Sequence, residues 1–198
     1  MAKDGYYFLT PLVLLALIFW WGGFSEITFI PLVLGVGVMF FFRDPERTIT
    51  DDRQAVVSPA DGKIIRLEQK ENYIFLSIFL SVLDVHVTRA PIEGVITKGE
   101  YRAGRFRIAY DERASVENEQ LVITIAGEHE LTFSLIAGIV ARRIRFWKEK
   151  GQQVSKGDRI GLIRFGSRVD VMLPLHCQCA VKIGDRVMAG SSVIARWE

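Results

Sequence analysis

Two uncharged apolar stretches at the start of the chain predict a pair of helices. Residues 5–25 and 27–42 contain no charged side chain. At about 1.5 Å per residue, the first stretch can cross a hydrocarbon layer of about 30 Å. The second is short for a full span, so it would tilt little, thin the bilayer or re-enter. Gly22 and Gly23 between them favour a turn, and the pattern predicts an N-terminal transmembrane helical hairpin over residues 1–43.

The residues around these stretches predict how the hairpin lies in a membrane. Trp20 and Trp21 stand where an interfacial aromatic belt would lie, and Lys3, Arg43 and Arg47 flank the two ends. The positive-inside rule therefore places both ends in the cytoplasm. A second apolar run and the lack of a small-residue cleavage site argue against a signal peptide. The lack of a polar face argues against a buried core hairpin.

From residue 44 onward, short apolar runs alternate with turn signals. The runs are rich in Val, Ile and Phe, and strict alternation of apolar and polar positions recurs, as in residues 169–171. This pattern is typical of many short strands in a sandwich or barrel. Residues 68–79 offer one helical alternative, which their β-branched content disfavours. The prediction for residues 44–198 is a mainly β, barrel-sandwich-like domain.

Two turns in this region share the sequence Gly-Asp-Arg, beginning at Gly157 and Gly184, and each leads into an apolar strand. Such paired turns resemble the hammerhead hairpins of biotinyl or lipoyl carrier domains. Those domains present a lysine for modification, but this chain has neither a Met-Lys-Met nor an Asp-Lys-Ala triplet. The region between the two turns holds Gly166 and Ser167 instead, so the scaffold is carrier-like without the carrier's nucleophile.

Charge and cysteine content narrow the function classes. A net charge of +2 is too small to favour nucleic-acid binding by itself. Cys177 and Cys179 would point to the same face of a strand. Two sulfurs without neighbouring ligands make a poor metal site, and a cytoplasmic domain keeps thiols reduced. We expect no metal and interpret both cysteines as small buried residues.

Three polar features interrupt the apolar runs, and together they supply the parts of a base-activated nucleophile. They are Asp61 in a Pro-Ala-Asp-Gly turn, His86 in an apolar run, and the Gly166-Ser167 pair. A carboxylate, an imidazole and a hydroxyl are the groups of a triad. Each feature also has a structural interpretation, as an ordinary turn, a core histidine, or a glycine at a strand bulge.

Six motifs in order give these features a specific interpretation. The motifs are FFRDPERTI, VSPADGKI, LSVLDVHVTRAPIEG, VENEQ, GIVARRIRF and GDRIGLIRFGSRVDVMLP. With these motifs the chain resembles the phosphatidylserine decarboxylase family from residue 41 to the C-terminus, and most of all its short, archaeal-type branch.

The resemblance implies a catalytic domain that is made as a proenzyme and cuts itself between Gly166 and Ser167. The products are chains 1–166 and 167–198, and Ser167 becomes a pyruvoyl group that forms a Schiff base with the substrate amine. The implied reaction is decarboxylation of phosphatidylserine, or of archaetidylserine, to the ethanolamine phospholipid. The implied setting is the cytoplasmic face of the cell membrane, with the enzyme as a homodimer and no nucleic acid as partner.

The resemblance also implies roles for single residues. Gly166 is the leaving partner of Ser167, and Asp61 orients the base for self-cleavage. His86 matches the first histidine of a segment that reads Asp-Tyr-His-Arg-Val-His in many bacterial members, whereas Arg89 stands in place of the second. Arginine stays protonated in proteins, so we assign both the cleavage base and the acid–base role in decarboxylation to His86. The alternative role for Arg89 is to hold the carboxylate or phosphate of the substrate. Arg168 stands where a threonine is common.

Two clusters of basic residues would suit anionic headgroups, although they could equally be solvated strand faces. They consist of Arg102, Arg105 and Arg107, and of Arg142, Arg143, Arg145, Lys148 and Lys150.

Two other functions remain open from the residues alone. A membrane-tethered, non-enzymatic adaptor module would have the same strand pattern, but it gives no reason for Gly166-Ser167, and coiled-coil heptads are missing. A Ser-His-Asp hydrolase would use the same side chains, but the chain lacks a G-x-S-x-G elbow.

Overall fold

The computed structural model describes residues 1–107, 113–138, 144–164 and 166–198. These residues form two compact units, Met1–Glu46 and Arg47–Glu198.

The first unit is a pair of packed apolar helices. A 3₁₀ turn, Lys3–Gly5, leads into α1, Tyr6–Trp21, and α2 spans Ser25–Phe41. Most of the large apolar side chains of both helices are exposed, which is unfavourable in water and suits non-aqueous surroundings. The helical stretch Lys3–Trp21 is long and apolar enough to cross a membrane, whereas α2 is shorter. The two helices follow the predicted pattern, and their insertion into a membrane stays a prediction.

The second unit is built from short strands and one short helix, α3, Ala114–Glu117. The strands in the described residues are β1 Ala55–Val57, β2 Gly62–Gln69, β3 Tyr73–Leu80, β4 Val87–Arg89, β5 Gly94–Arg102, β6 Gln120–Ala126, β7 Glu130–Ile136, β8 Ile144–Phe146, β9 Gln153–Val154, β10 Arg159–Ile163, β11 Ser167–Pro174, β12 Cys177–Cys179, β13 Arg186–Val187 and β14 Val193–Trp197.

Within the described ranges these strands form three sheets, and the strands pair antiparallel. The large sheet has the order β13-β2-β3-β11-β7-β6-β5-β9, and the two small sheets have the orders β1-β14-β12 and β4-β10-β8. The mainly β prediction is therefore confirmed, and residues 68–79 lie in β2, in β3 and in the turn between them rather than in a helix. A closed barrel-sandwich stays a prediction.

The core lies against one face of the large sheet. Along β11 the side chains of Val169, Val171 and Leu173 are fully buried in this core. Because side chains alternate along a strand, Arg168 and Asp170 belong to the opposite face. The strand therefore carries the site residue at its start, the core on one face and a pair of opposite charges on the other.

The two Gly-Asp-Arg turns have the same hydrogen-bonding pattern. The Asp158 carboxylate accepts from the backbone N–H of Ser155 at 3.1 Å, and the Asp185 carboxylate accepts from that of Lys182 at 2.9 Å. In each turn the aspartate caps the residue three positions earlier. The repeat seen in the sequence is thus a repeat of local structure.

The two cysteines differ in burial. Cys177 is buried in the core as predicted, whereas Cys179 is only partly buried and packs against the core, and both thiols are free. Burial, together with the neighbouring Cys179 and Glu198, raises the pKa of the Cys177 thiol to about 12. The residues that the structure describes contain no group of three or more side chains arranged to hold a metal ion.

Candidate active site

Three neighbouring strands of the large sheet have ends that lie side by side near the predicted site residues. β2 begins at Gly62, directly after Asp61, and β11 begins at Ser167. β3 lies between them and is antiparallel to both, and its last residue, Leu80, is the partner of Ser167. The strands that follow Asp61 and Gly166 are therefore two strand spacings apart, about 10 Å across the sheet.

Two chain connections bring His86 near the same strand ends. β3 continues into β4 and β10 continues into β11, while β4 and β10 pair with each other in a small sheet. The backbone N–H of Ile163, at the end of β10, donates to the carbonyl oxygen of His86 at 3.3 Å. His86 is therefore held beside the strand end from which the chain runs on to Ser167.

The Gly166-Ser167 bond combines open space with a buried hydroxyl. Gly166 has a φ of +31°, which favours glycine, and a Cβ there would have no heavy atom of the described residues within 4 Å, apart from its chain neighbours. Ser167 is fully buried, and its Oγ has no hydrogen-bond partner among the described residues. A buried polar atom without a partner is costly, so such atoms are concentrated at functional sites.

The hydrogen bond of His86 determines which ring nitrogen carries the proton. His86 is fully buried, and its Nδ1 lies 2.9 Å from the carbonyl oxygen of Asp84. A carbonyl oxygen can only accept, so Nδ1 donates and Nε2 keeps its lone pair while the ring is neutral. This form of the imidazole can take up a proton. Thr88, two residues further on and on the same side of the strand, is also fully buried, with an Oγ1 that makes no hydrogen bond in the described ranges.

Asp61 has a partner that sequence reasoning missed. Its carboxylate accepts from Arg47, with the Nη2 atom 2.9 Å and 2.7 Å from the two oxygens. It also accepts from the backbone N–H of Ala189 at 2.7 Å. Arg47 was assigned to the positive flank of the membrane hairpin, and the signal for a second role was its place in the FFRDPERTI motif.

Arg89 lies at the opposite end of β4 from His86 and is tied to the protein. Its Nη1 donates to the carbonyl oxygen of Gly157 at 3.0 Å, and its backbone N–H donates to that of Pro59 at 2.9 Å. The residue is only 6% exposed. It therefore links the Pro-Ala-Asp-Gly turn to the first Gly-Asp-Arg turn, and its binding of a substrate anion stays a prediction.

The Asp84 carboxylate forms hydrogen bonds that hold the turn before His86. It accepts from the backbone N–H and the hydroxyl of Ser81, at 2.8 Å and 2.7 Å, and from Arg186 at 3.0 Å. Burial favours the neutral acid, but the hydrogen bonds from Ser81 and Arg186 outweigh it, so the pKa of Asp84 lies below its ordinary value. Asp84 thus contacts the histidine ring through its backbone carbonyl and holds the turn with its side chain.

A buried charge cluster lies behind the start of β11. Arg168 and Asp170 form an ion pair, with 3.0 Å between Nε and Oδ1. Ser77 on β3 and Ser115 on α3 each donate a hydroxyl to Asp170, at 2.5 Å and 2.7 Å, and Arg168 also donates to Ser115. Burial raises the pKa of Asp170, and Arg168 and the two serines partly offset this. The sequence signal for this cluster was two opposite charges, two residues apart, in an apolar strand.

Several of the predicted basic residues are paired with carboxylates. Arg102 lies 3.2 Å from Glu100, and Arg107 lies 2.6 Å from Glu117. Arg142 and Arg143 lie outside the described residues. The binding of anionic headgroups by these clusters stays a prediction.

Comparison with known proteins agrees with the resemblance seen in the motifs. The family model for phosphatidylserine decarboxylase matches residues 35–195. The phosphatidylserine decarboxylase proenzyme of Solibacter usitatus is 46% identical over 193 residues, covering 96% of this chain and 93% of that protein. The proenzyme of Desulfotalea psychrophila is 38% identical and covers 99% of this chain and 96% of that protein, and the proenzyme of Chlorobium limicola is 43% identical and covers 80% and 78%.

The first two relatives are similar to the chain over nearly its whole length, and the region that the family model matches contains each of the candidate site residues. The chain therefore belongs to the phosphatidylserine decarboxylase family of carboxy-lyases.

Proposed function

We propose that the chain is a proenzyme that cuts itself between Gly166 and Ser167, and that the mature enzyme uses the resulting pyruvoyl group to decarboxylate phosphatidylserine. The observation that carries the proposal is the Ser167 hydroxyl, which is fully buried without a hydrogen-bond partner among the described residues. It directly follows a glycine with open space at its Cα. The relatives are named as proenzymes, which supports processing of the chain.

Self-cleavage needs no group from outside the chain except water. The Ser167 oxygen attacks the carbonyl carbon of Gly166, the C–N bond breaks, and the peptide becomes an ester. Loss of the Ser167 α-proton then expels the Gly166 carboxylate and leaves a dehydroalanine at position 167. Addition of water and loss of ammonia convert that residue into a pyruvoyl group. The missing Cβ of Gly166 leaves the neighbouring carbonyl carbon less crowded during the first step.

His86 is the proposed base for the proton of the Ser167 hydroxyl. Its Nδ1 donates to Asp84, so Nε2 is the atom that takes the proton. Asp61 has a positioning role in this proposal. Its carboxylate binds both Arg47 and the backbone N–H of Ala189. These two contacts hold the turn that precedes β2, next to the start of β11.

The buried hydroxyl also fits the site of the cofactor, because the pyruvoyl group forms from Ser167 itself. Its ketone supplies an electron sink for the carbanion that is left when carbon dioxide departs. The chain contributes a buried position that limits access of water, and in this proposal His86 returns a proton through Nε2. The serine headgroup is common to phosphatidylserine and archaetidylserine, and the relatives' names favour phosphatidylserine.

The setting proposed for the enzyme is the cytoplasmic face of the cell membrane. The helical stretch Lys3–Trp21 supports an anchor by its length and apolar composition. The mature protein would consist of chains 1–166 and 167–198 from one precursor, and we keep the homodimer as part of the proposal.

Intact mass spectrometry of the purified protein tests the proposal. Wild-type protein should give two chains, the smaller beginning with a pyruvoyl group that blocks Edman degradation. Ser167→Ala should give one uncut chain without decarboxylase activity, whereas Ser155→Ala, at an exposed turn serine, should be cut like the wild type. An intact wild-type chain after long incubation, without a carbonyl that reacts with hydrazines, would overturn the proposal.

A further inference from the structure

The turn between β3 and His86 carries two exposed aliphatic side chains. Val82 is 54% exposed and Leu83 is 67% exposed. They occupy the two central positions of a turn in which the backbone N–H of Asp84 donates to the carbonyl oxygen of Ser81 at 3.0 Å. Both side chains therefore project from the tip of the turn.

Hydrogen bonds to the Asp84 carboxylate hold this turn in shape. Moving the two side chains into the core would break these bonds and is therefore costly. One Asp84 oxygen accepts from both the backbone and the hydroxyl of Ser81. The other accepts from Arg186 on β13, which ties the turn to a second strand. A rigid turn that presents Val82 and Leu83 to water is unfavourable unless something covers them.

Cations and a further apolar side chain lie next to the tip. Arg186, whose side chain is 71% exposed, contacts Asp84 and is the strand partner of the exposed Lys63 on β2. Met188, two residues after Arg186, is 51% exposed. We call this set the rim, and it consists of Lys63, Val82, Leu83, Arg186 and Met188.

The rim borders the candidate active site. The turn begins directly after Leu80, the strand partner of Ser167, and ends two residues before His86. Whatever covers the rim therefore lies beside the Gly166-Ser167 bond.

We propose that the rim docks the second unit onto an anionic phospholipid bilayer, with Val82, Leu83 and Met188 in contact with the acyl chains and Lys63 and Arg186 at the phosphates. Apolar side chains with adjacent cations are the combination that binds such a surface. A second copy of this chain is a poorer occupant, because a two-fold contact would bring the same cations together. That the docked bilayer is also the source of substrate rests on the proposed function.

The first experiment places a fluorescent probe at the tip. The full chain with Cys177→Ala and Cys179→Ala is labelled with an environment-sensitive dye at Leu83→Cys. A matched chain carries the dye at Val116→Cys, an 81% exposed aliphatic position on α3. Both are reconstituted into vesicles of phosphatidylcholine and phosphatidylglycerol, with a cooperative thermal unfolding transition as the check on folding. The dye at position 83 should shift to the blue and be quenched by lipids brominated on their acyl chains, and the dye at position 116 should not.

Replacing phosphatidylglycerol with phosphatidylcholine should reduce the blue shift at position 83, because the cations lose their partners. A dye at position 83 that stays as exposed to water as the dye at position 116 would overturn the docking. A blue shift without quenching by the brominated chains would point to a protein contact and would also overturn it. An equal shift on purely zwitterionic vesicles would overturn the role of Lys63 and Arg186.

The second experiment measures the consequence for turnover. The measured quantity is the ratio of kcat/KM on vesicle-embedded phosphatidylserine to kcat/KM on a soluble short-chain analogue. The double variant Val82→Ser, Leu83→Ser should lower this ratio about tenfold, since two aliphatic side chains no longer enter the bilayer. Val116→Ser should leave that ratio at the wild-type value, and an unchanged ratio in the double variant would contradict the inference. The fluorescence experiment needs no turnover, so an inactive but docked protein would contradict the proposed function alone.

Discussion

Arg168 and Asp170 form an ion pair on the face of β11 opposite to Ser167, and both residues are almost completely buried. Arg168 directly follows Ser167, the residue on the downstream side of the proposed cleavage point. Removing one partner of a buried pair leaves an uncompensated charge, which costs about 3–5 kcal/mol. The pair therefore fixes the position of the strand that begins with the Ser167 hydroxyl.

We expect Arg168→Met to lower the free energy of unfolding by about 3 kcal/mol and to slow self-cleavage, because Asp170 stays buried without its partner. The double variant Arg168→Met, Asp170→Leu should recover most of the stability. Urea unfolding gives the free energies, and the fraction of cut chain on a denaturing gel gives the cleavage rate. Equal losses in the single and double variants would show that the charges do not act as a pair.

Two glycines should respond differently to a methyl group. Gly166→Ala meets no atom of the residues that the structure describes beyond its chain neighbours, so its cost should come from the positive φ, about 1 kcal/mol, with slower self-cleavage in a folded protein. Gly62→Ala would place a Cβ 2.2 Å from the carbonyl oxygen of Phe79, and should prevent normal folding of the β2–β3 edge. Thermal unfolding and the amount of soluble protein distinguish the two. A Gly166→Ala protein as unstable as Gly62→Ala would contradict the open space at position 166.

The contact between Arg47 and Asp61 predicts that two distant substitutions have one effect. Arg47→Gln and Asp61→Asn should each slow self-cleavage, and the double variant should be little worse than either, because all three lose the same charged hydrogen bond of about 1.5–3 kcal/mol. The rate of chain cutting after synthesis measures this. Additive losses would show instead that Asp61 acts on the reaction independently of Arg47.

Acid should loosen the turn that carries the rim. The folded-state pKa of Asp84 lies below its ordinary value of about 3.9, so the stabilisation from its ionised form is complete above about pH 5 and is lost as the pH falls through the folded-state pKa. The difference in unfolding free energy between wild type and Asp84→Asn should therefore shrink below about pH 4. Urea titrations at a series of pH values measure it. A difference that grows in acid would reverse the sign of the shift.

The strands were predictable because their residues strongly favour β-structure over helix. Residues 73–80 are almost wholly apolar and rich in aromatic and β-branched side chains, and they form the strand between β2 and β11. The candidate site residues were chosen as a set from the family motifs, and their roles stay predictions. Their placement near the same ends of neighbouring strands depends on the register of β3 against two other strands, which a single sequence does not contain.

The contacts that sequence reasoning missed join residues far apart along the chain. Arg47 and Asp61 are 14 residues apart, with β1 between them, and Ser115 is 55 residues from Asp170. No periodicity links such pairs, because each depends on how separate elements pack. The alternation of Arg168 and Asp170 showed that they share a face, but not that this face is covered.

The central position of β11 in the large sheet determines the order in which folding and the proposed cleavage can occur. This strand is fourth of eight in the large sheet, and the residues after it supply β12, β13 and β14 to the sheets around it. A chain cut at Gly166 keeps these strands through hydrogen bonds and packing alone. If the chain is cut as proposed, cleavage must therefore follow folding, and a mature enzyme that unfolds by heat would release two pieces that must find each other again in solution. The uncut precursor stays one chain when it unfolds, so the proposed cleavage would make the active fold one that is assembled only once.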